Sequence, residues 1–273
     1  MLIQLTVLIL LIILVSPCLF FFVEFGHNTG QDLTLLVNTL GLALPITISV
    51  YLARTRLDRR PFSSLGLGLS NQATRDFLFG FGLPALLMGL IFFLEWAVGW
   101  LHVEAFAWQT QTPIFILQGV FIAIFAFLLT GWGEELLFRG YWLQNLAEGL
   151  NWSWAVVISS IVFALAHSFN PDVTWEAILG LVVAGVFFAF GYMRTSLLWL
   201  PIGLHFGWNF FEGTVFGFQV SGLSSFSLIQ QTVNGPPMIT GGAFGPEAGL
   251  IVLPALGLGA VLIYFYTRKR NKI

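Results

Sequence analysis

The chain has 273 residues, of which 57% are hydrophobic and 9% are charged, and its formal net charge is −2. Together with a mean hydropathy of +0.88, this composition excludes a soluble protein and predicts a polytopic membrane protein. No phosphate-binding loop, dinucleotide motif or basic helix suited to nucleic acid occurs in the sequence, so we expect no nucleic-acid partner.

Apolar segments long enough to cross a bilayer recur along the whole chain. A helix needs about 20 apolar residues for one crossing. We therefore predict an all-α fold, a single integral membrane domain over residues 1–273 with about eight transmembrane helices. The predicted spans are about 2–23, 34–53, 77–100, 113–130, 152–167, 175–192, 197–211 and 250–266, and the fourth can run on as helix to about residue 145.

Basic residues predict the orientation of these helices. One cluster lies between the second and third spans, and the other follows the last span: Arg54, Arg56, Arg59, Arg60 and Arg75, then Arg268, Lys269, Arg270 and Lys272. Positively charged loops stay on the cytoplasmic side. With eight spans the two clusters share one side, so we expect both termini in the cytoplasm. A compact chain without organelle-targeting features fits a prokaryotic inner membrane.

Three charged residues in the fourth predicted span are the first candidates for chemistry. An ionisable side chain in the membrane interior costs roughly 2.5 to 3.5 kcal/mol, so it is kept mainly where it pairs, faces a cavity or works. On a helix, Glu135 and Arg139 share a face and can form an ion pair. Glu134 points about 100° away and lacks that partner. For Glu135 and Arg139, an ion pair that only locks two helices together is the alternative.

Two histidines lie on later apolar segments, each with a companion four residues away on the same helical face: Phe163 with His167, and His205 with Asn209. Lipid satisfies none of these polar groups, so we expect them to face an intramembrane polar cavity together with Glu134. A carboxylate, two imidazoles and an amide are a hydrolytic set. Glu134 can take a proton from water, His167 and His205 can orient that water, and Asn209 can donate to an oxyanion.

The need for a metal is left open by these residues. Two histidines and a carboxylate form a known catalytic zinc set, so a divalent metal such as zinc would be held by Glu134, His167 and His205. These residues come from separate helices and lack the compact spacing of soluble metalloproteases. A metal-free mechanism is equally consistent with the sequence.

The three motifs also carry a family resemblance. Glu-Glu-x-x-x-Arg at 134–139, Phe-x-x-x-His at 163–167 and His-x-x-x-Asn at 205–209 resemble the motifs of the CPBP intramembrane proteases, the group of CAAX prenyl endopeptidases and bacteriocin-processing or immunity proteins. The resemblance covers a motif-bearing core of about residues 113–211. It implies eight helices around a chamber in the bilayer, and an endopeptidase in which glutamate-activated water hydrolyses a peptide bond.

The resemblance also assigns roles to the matching positions. It makes Glu134 the base. His167 and His205 would hold the water or the oxyanion, and Asn209 would assist them. The remaining motif residues would shape the site or bind substrate: Glu135, Arg139 and Phe163. The implied partners are a membrane-associated or lipidated protein or peptide substrate and the lipid bilayer.

Two other classes of function stay open. A CPBP-like protein without activity can bind a partner peptide in an immunity or regulatory role. A transporter can relay protons through Glu134, Glu135 and the two histidines, but the chain lacks the paired halves with matching broken helices that many transporters show.

The remaining acids near the predicted spans suggest no chemistry from sequence alone, and the role of the longest connection stays open. Glu95, Glu176 and Glu212 lie near predicted helix ends, where a carboxylate can reach the interface, so we expect no catalytic part for them. The connection over residues 212–249 is rich in Gly, Ser and Pro and is expected on the non-cytoplasmic side. It can be a linker, a lid or a substrate-facing loop.

Overall fold

The computed structural model of the protein describes residues 1–25 and 31–270, and this part of the chain is mainly helical. In chain order its helices are α1 (Leu2–Phe25), α2 (Gln31–Leu52), α3 (Asn71–Ala97), α4 (Ala107–Thr110), α5 (Pro113–Glu135), α6 (Leu143–Gly149), α7 (Trp152–Ala166), α8 (Trp175–Thr195), α9 (Trp199–Asn209), α10 (Pro237–Thr240) and α11 (Val252–Thr267), and its strands are β1 (Leu101–Phe106) and β2 (Ile229–Val233). Single π-helical turns cover Ala53–Leu57, Leu136–Trp142 and Phe210–Val215, and 3₁₀ turns cover Phe62–Leu65, Gly242–Phe244 and Pro246–Ala248.

Apolar helices occupy all eight predicted spans, which confirms a polytopic membrane protein. Within the described residues, four helices are long and apolar enough to cross a membrane: Thr34–Leu57, Asn71–Ala97, Pro113–Gly149 and Trp175–Thr195. The helix from Pro113 continues through a π turn to Gly149, as the sequence allowed. The count of eight crossings stays a prediction, because α7, α9 and α11 are each shorter than the roughly 20 residues that one crossing needs.

Helix α9 lies at the centre of the bundle, and it packs backbone to backbone against α3. A methyl group added at Gly203 would lie 2.3 Å from the carbonyl oxygen of Phe77, and one added at Gly207 would lie 2.3 Å from that of Phe81. Gly80 on α3 meets the backbone of α9 at 2.5 Å in the same way. Small residues allow this approach between membrane helices. The contact fixes the helix that carries His205.

A short β-sheet, which the sequence analysis did not predict, joins two distant loops. Strands β1 and β2 pair antiparallel, from Leu101 opposite Val233 to Phe106 opposite Ile229, with an irregularity between Val103 and Ala105. Each strand has only five or six residues, and its partner is far away in sequence. A local pattern of this length does not separate a strand from the end of an apolar helix.

The connection over residues 212–249 is folded against the bundle. The 3₁₀ turn Pro246–Ala248 packs on α8, where a methyl group at Gly180 would lie 1.9 Å from the carbonyl oxygen of Glu247. The backbone N–H of Gly222 donates to the carbonyl of Phe244 at 2.8 Å, which ties two parts of the connection together.

One of the predicted basic clusters also holds the C-terminal helix in place. Arg270, which follows α11, forms an ion pair at 2.7 Å with the buried Asp76 of α3, and the hydroxyl of Tyr266 donates to the same carboxylate at 2.9 Å. Lys272 lies outside the described residues. The cytoplasmic placement of both termini stays a prediction.

Candidate active site

The first motif lies where α5 changes into a π-helical turn. Glu134 and Glu135 are the last two residues of α5, and Arg139 lies within the following turn Leu136–Trp142. Wider turns of this type occur frequently at functional sites in helices. The turn leaves the expected pair intact, since Nη1 of Arg139 donates to Oε1 of Glu135 at 2.7 Å. Both side chains are almost fully buried.

Glu135 and Arg139 also make contacts beyond their own helix. Oε1 of Glu135 lies 2.9 Å from Nδ1 of His205 on α9. The second guanidinium nitrogen of Arg139 donates to the carbonyl of Gly185 on α8 at 3.0 Å, and the guanidinium lies 4.5 Å from the ring centre of Phe163. The pair therefore connects α5, α7, α8 and α9 at one level of the bundle. Phe163 lies beside this pair, and its role in shaping the site or binding substrate stays a prediction.

His167 caps the C-terminal end of α7, where helical hydrogen bonding ends. Its Nδ1 lies 2.9 Å from the carbonyl oxygen of Phe163, one turn earlier. A carbonyl oxygen only accepts hydrogen bonds, so this nitrogen carries the proton. The ring also packs on Phe163, with 4.9 Å between the ring centres. The imidazole is thus fixed in orientation and tautomer.

Both imidazoles turn their other nitrogen towards Glu134. Oε2 of Glu134 lies 3.7 Å from Nε2 of His167 and 3.8 Å from Nε2 of His205. The Glu134 side chain is 23% exposed, whereas that of His205 is 5% exposed and stacks on Phe188 with 4.9 Å between ring centres. The structure therefore brings together three of the residues that the sequence predicted for one site.

The hydrogen bonds at Nδ1 determine what this site can bind. Nδ1 of His205 donates a hydrogen bond to Glu135, which also accepts one from Arg139. In their neutral forms, His205 and His167 both present an Nε2 lone pair to the Glu134 carboxylate, which has lone pairs of its own. Three acceptors that face each other require a donor between them, such as a water molecule or a protonated nitrogen.

As placed, the three side chains do not close around a metal ion. Within the described residues, no group of three or more His, Cys, Asp and Glu side chains is arranged to hold one. Two atoms bound to one tetrahedral zinc ion at about 2.0–2.1 Å lie about 3.3 Å apart. The separations of 3.7 and 3.8 Å exceed that value.

The three side chains face a cavity of about 800 Å³. Its wall combines α2, the end of α5, the turn after α7, α9 and a segment of the long connection, and it includes Asn209. Asn209 lies one turn beyond His205 and is 6% exposed. A cavity is thus present where the sequence analysis expected one, and its wall includes every motif position expected to touch water, while its placement within the bilayer stays a prediction. Their catalytic roles stay predictions.

Two acids lie deeper than the sequence analysis expected. Glu95 and Glu212 are fully buried, although each lies near the end of a helical segment, so neither carboxyl reaches the surface of the fold. Glu247, in the long connection, was not singled out at all and is 6% exposed. Burial raises the pKa of its carboxyl above the ordinary value. An acid within a Gly- and Pro-rich loop gives no periodic signal, so only the structure reveals its burial.

Comparison with known proteins adds evidence that is independent of this geometry. Residues 116–211 match the family model of the type II CAAX prenyl endopeptidase Rce1-like proteins. This core is therefore similar to a family of CAAX prenyl endopeptidases. The matched segment includes all three motifs, from Glu134 to Asn209. The predicted resemblance to the CPBP proteases is thereby confirmed for the motif-bearing core, and the prediction of an integral membrane protein is confirmed as well.

Part of the chain is also similar to a bacterial protein. The chain is 32% identical over 104 residues to "Putative membrane peptidase YdiL" of Bacillus subtilis (strain 168). The alignment covers 38% of this chain and 41% of that protein's length. No solved structure matches the chain.

Proposed function

We propose that the protein is an intramembrane endopeptidase in which Glu134 activates a water molecule to hydrolyse a peptide bond of a membrane-associated or lipidated protein or peptide. One observation carries the proposal. The Glu134 carboxylate faces two imidazole nitrogens at 3.7 and 3.8 Å on the wall of a cavity. The match of the core to the Rce1-like CAAX prenyl endopeptidase model supports a protease at the level of the family.

The chemistry follows from the arrangement of donors and acceptors. A water molecule between Glu134, His167 and His205 donates hydrogen bonds to the carboxylate and to one imidazole, so a lone pair on its oxygen is free to attack a carbonyl carbon. Glu134 takes the proton as the attack occurs, and it later delivers that proton to the leaving amine. Asn209, one turn beyond His205, donates its amide N–H to the developing oxyanion.

The environment prepares the imidazoles for this step. Glu135 and the Phe163 carbonyl hold one nitrogen of each ring, so neither His205 nor His167 has to reorient during the reaction. Fixed dipoles of this kind stabilise a transition state without reorganisation. Arg139 pairs with Glu135 and holds its carboxylate in place. No step of this mechanism needs a metal ion, and activity in the presence of a chelator distinguishes it from a zinc mechanism.

The setting in the cell completes the proposal. A single integral membrane domain with its catalytic core at about 113–211 acts within the bilayer, where membrane-associated peptides are the available substrates. The two basic clusters favour cytoplasmic termini, and the bacterial relative favours a prokaryotic inner membrane.

The test compares protein termini in membranes that contain the wild-type chain or Glu134→Gln at matched expression. The amide keeps the shape of the side chain and removes the base. Glu104→Gln, which alters an exposed carboxylate in β1, is the matched control. New N- and C-termini that are present with wild type and Glu104→Gln and absent with Glu134→Gln support the proposal. Identical termini in all three, with folded and abundant protein, would favour a partner-binding role instead.

A further inference from the structure

A hydrogen bond inside the long connection reaches the wall of the cavity. The hydroxyl of Ser221 donates to Oε2 of Glu247 at 2.5 Å, and both residues are buried. Ser221 itself lines the cavity that contains Glu134. With its neighbours it forms a stretch of cavity wall, residues 220–225, which we call the wall segment.

The wall segment is tied to the turn that carries the second motif. The side-chain N–H of Asn170, three residues after His167, donates to the carbonyl of Ser221 at 2.9 Å. Gly222 adopts a φ of +81°, and a methyl group there would lie 2.1 Å from the carbonyl oxygen of Pro171. The wall segment therefore lies in direct contact with the turn after α7, and its position relative to His167 depends on these contacts.

Glu247 stands on a rigid base. Its backbone carbonyl packs against Gly180 of α8, where no side chain would fit. Gly245, two residues earlier, has a φ of +105° and touches the carbonyl oxygen of Gln219 just before the wall segment. The Glu247 carboxylate is therefore held by α8, and it transmits that position to the cavity wall through Ser221.

A buried carboxyl group at this point is expensive if its only role is packing. An apolar side chain of the same volume would fill the space without a desolvation cost. An apolar residue at this position could not accept the hydrogen bond from Ser221. Elsewhere in the wall segment, Gly222, Ser224 and Ser225 are small, and Leu223 and Ser224 are exposed residues of the cavity wall. Such a surface suits an extended peptide.

We propose that Glu247 is a positioning residue: through Ser221 it fixes the wall segment as the substrate-facing side of the cavity, so that this wall sets the affinity for a peptide substrate. The proposal deepens the proposed function and rests on it for the identity of the occupant. It also assigns the long connection to the substrate-facing loop among the three roles that the sequence left open.

The positional part is tested without any activity. Cys18 is the single cysteine, so Leu223→Cys in a Cys18→Ser background carries one spin label on the wall segment. We expect an immobilised spectrum in this parent, and a mobile component after Ser221→Ala or Glu247→Ala. Glu247→Gln keeps an oxygen that accepts from Ser221, so it should restore the immobilised spectrum. Glu104→Ala, at an exposed carboxylate, is the control and should leave it unchanged.

A second label site separates wall positioning from general destabilisation. Leu150→Cys places the label on an exposed residue between α6 and α7. Its spectrum should be the same in all variants. Unchanged spectra at residue 223 in Ser221→Ala and Glu247→Ala would overturn the proposal, and so would equal changes at residues 150 and 223, which would indicate a structural role for the whole fold.

The functional part uses the substrate found by the comparison of termini. Ser221→Ala and Glu247→Ala should each raise KM about fivefold, the scale of one hydrogen bond, with kcat within about twofold of wild type. The double variant should be no worse than either single variant, because both remove the same bond. A fall in kcat at constant KM would contradict the proposal. If wild type cuts nothing, the proposed function fails, while the spin-label result still decides the positioning.

Discussion

Glu135 on α5 and His205 on α9 are 70 residues apart in sequence, and Oε1 of Glu135 lies 2.9 Å from Nδ1 of His205. The same oxygen accepts from Arg139 at 2.7 Å. One buried carboxylate therefore neutralises a guanidinium and fixes the tautomer of an imidazole. The ion pair that could have been a simple helix lock is thus also the support of the second histidine.

Replacement of Glu135 should reveal this double role. Glu135→Gln keeps an oxygen that can accept from His205 but leaves Arg139 buried without a counter-charge. We expect a loss of stability of about 3–5 kcal/mol. Thermal unfolding in detergent or nanodiscs measures the change. Arg60→Gln breaks the exposed ion pair with Glu148 and should change stability by less than about 1 kcal/mol. Equal effects of the two variants would contradict the assignment.

Much of this site could be predicted because its members are local pairs on helices. The spacing of Glu135 and Arg139 alone predicts their ion pair, and the structure contains it despite the π-helical turn. Polar groups without a place in lipid must face inward, so the meeting of Glu134 with His167 and His205 followed from elementary solvation. Local spacing and the apolar solvent carried this part of the prediction.

Contacts between distant loops could not be predicted in this way. The bond between Ser221 and Glu247 depends on how a Gly-rich connection folds onto α8, and no period in the sequence encodes it. The burial of Glu212 was missed for the same reason, since a helix end can reach water or lie under a loop. Strands β1 and β2 lie far apart in the sequence, so their pairing depends on where the helices place the two loops that contain them.

Substitution of His167 should remove activity with little effect on the fold. His167→Gln eliminates the imidazole that faces Glu134. Residue 167 lies at the C-terminal end of α7 beside the cavity, and not in the middle of the packed core. We expect the rate of cleavage to fall about 10²- to 10⁴-fold. Single-turnover assays on the identified substrate measure this loss, with thermal unfolding as the check on folding. His102→Gln, at an exposed histidine in β1, should retain full activity. Normal cleavage by His167→Gln would remove it from the mechanism.

The close contact of α3 and α9 should not tolerate a methyl group. Gly207→Ala places a carbon 2.3 Å from the carbonyl oxygen of Phe81, so the two helices must separate and displace His205 and Asn209. We expect lower thermal stability and loss of activity together. Gly82 lies on α3, next to Phe81. Gly82→Ala has no atom within 4 Å of the added carbon and should behave as wild type. Thermal unfolding and cleavage assays on both variants decide this, and wild-type behaviour of Gly207→Ala would contradict the packing.

Removal of the Glu212 carboxyl should stabilise the protein. Glu212 is fully buried, and neither of its oxygens makes a hydrogen bond of ordinary geometry in the described part of the chain, although the Trp208 side chain lies close to its carboxyl. A buried polar group without a partner costs about 1–3 kcal/mol, and Met fills a similar volume without that cost. Glu212→Met should therefore raise the midpoint of thermal unfolding, whereas Glu104→Met, at an exposed carboxylate, should leave it nearly unchanged. A lower midpoint for Glu212→Met would contradict this expectation and would indicate that the carboxyl stabilises the fold through its neighbour Trp208.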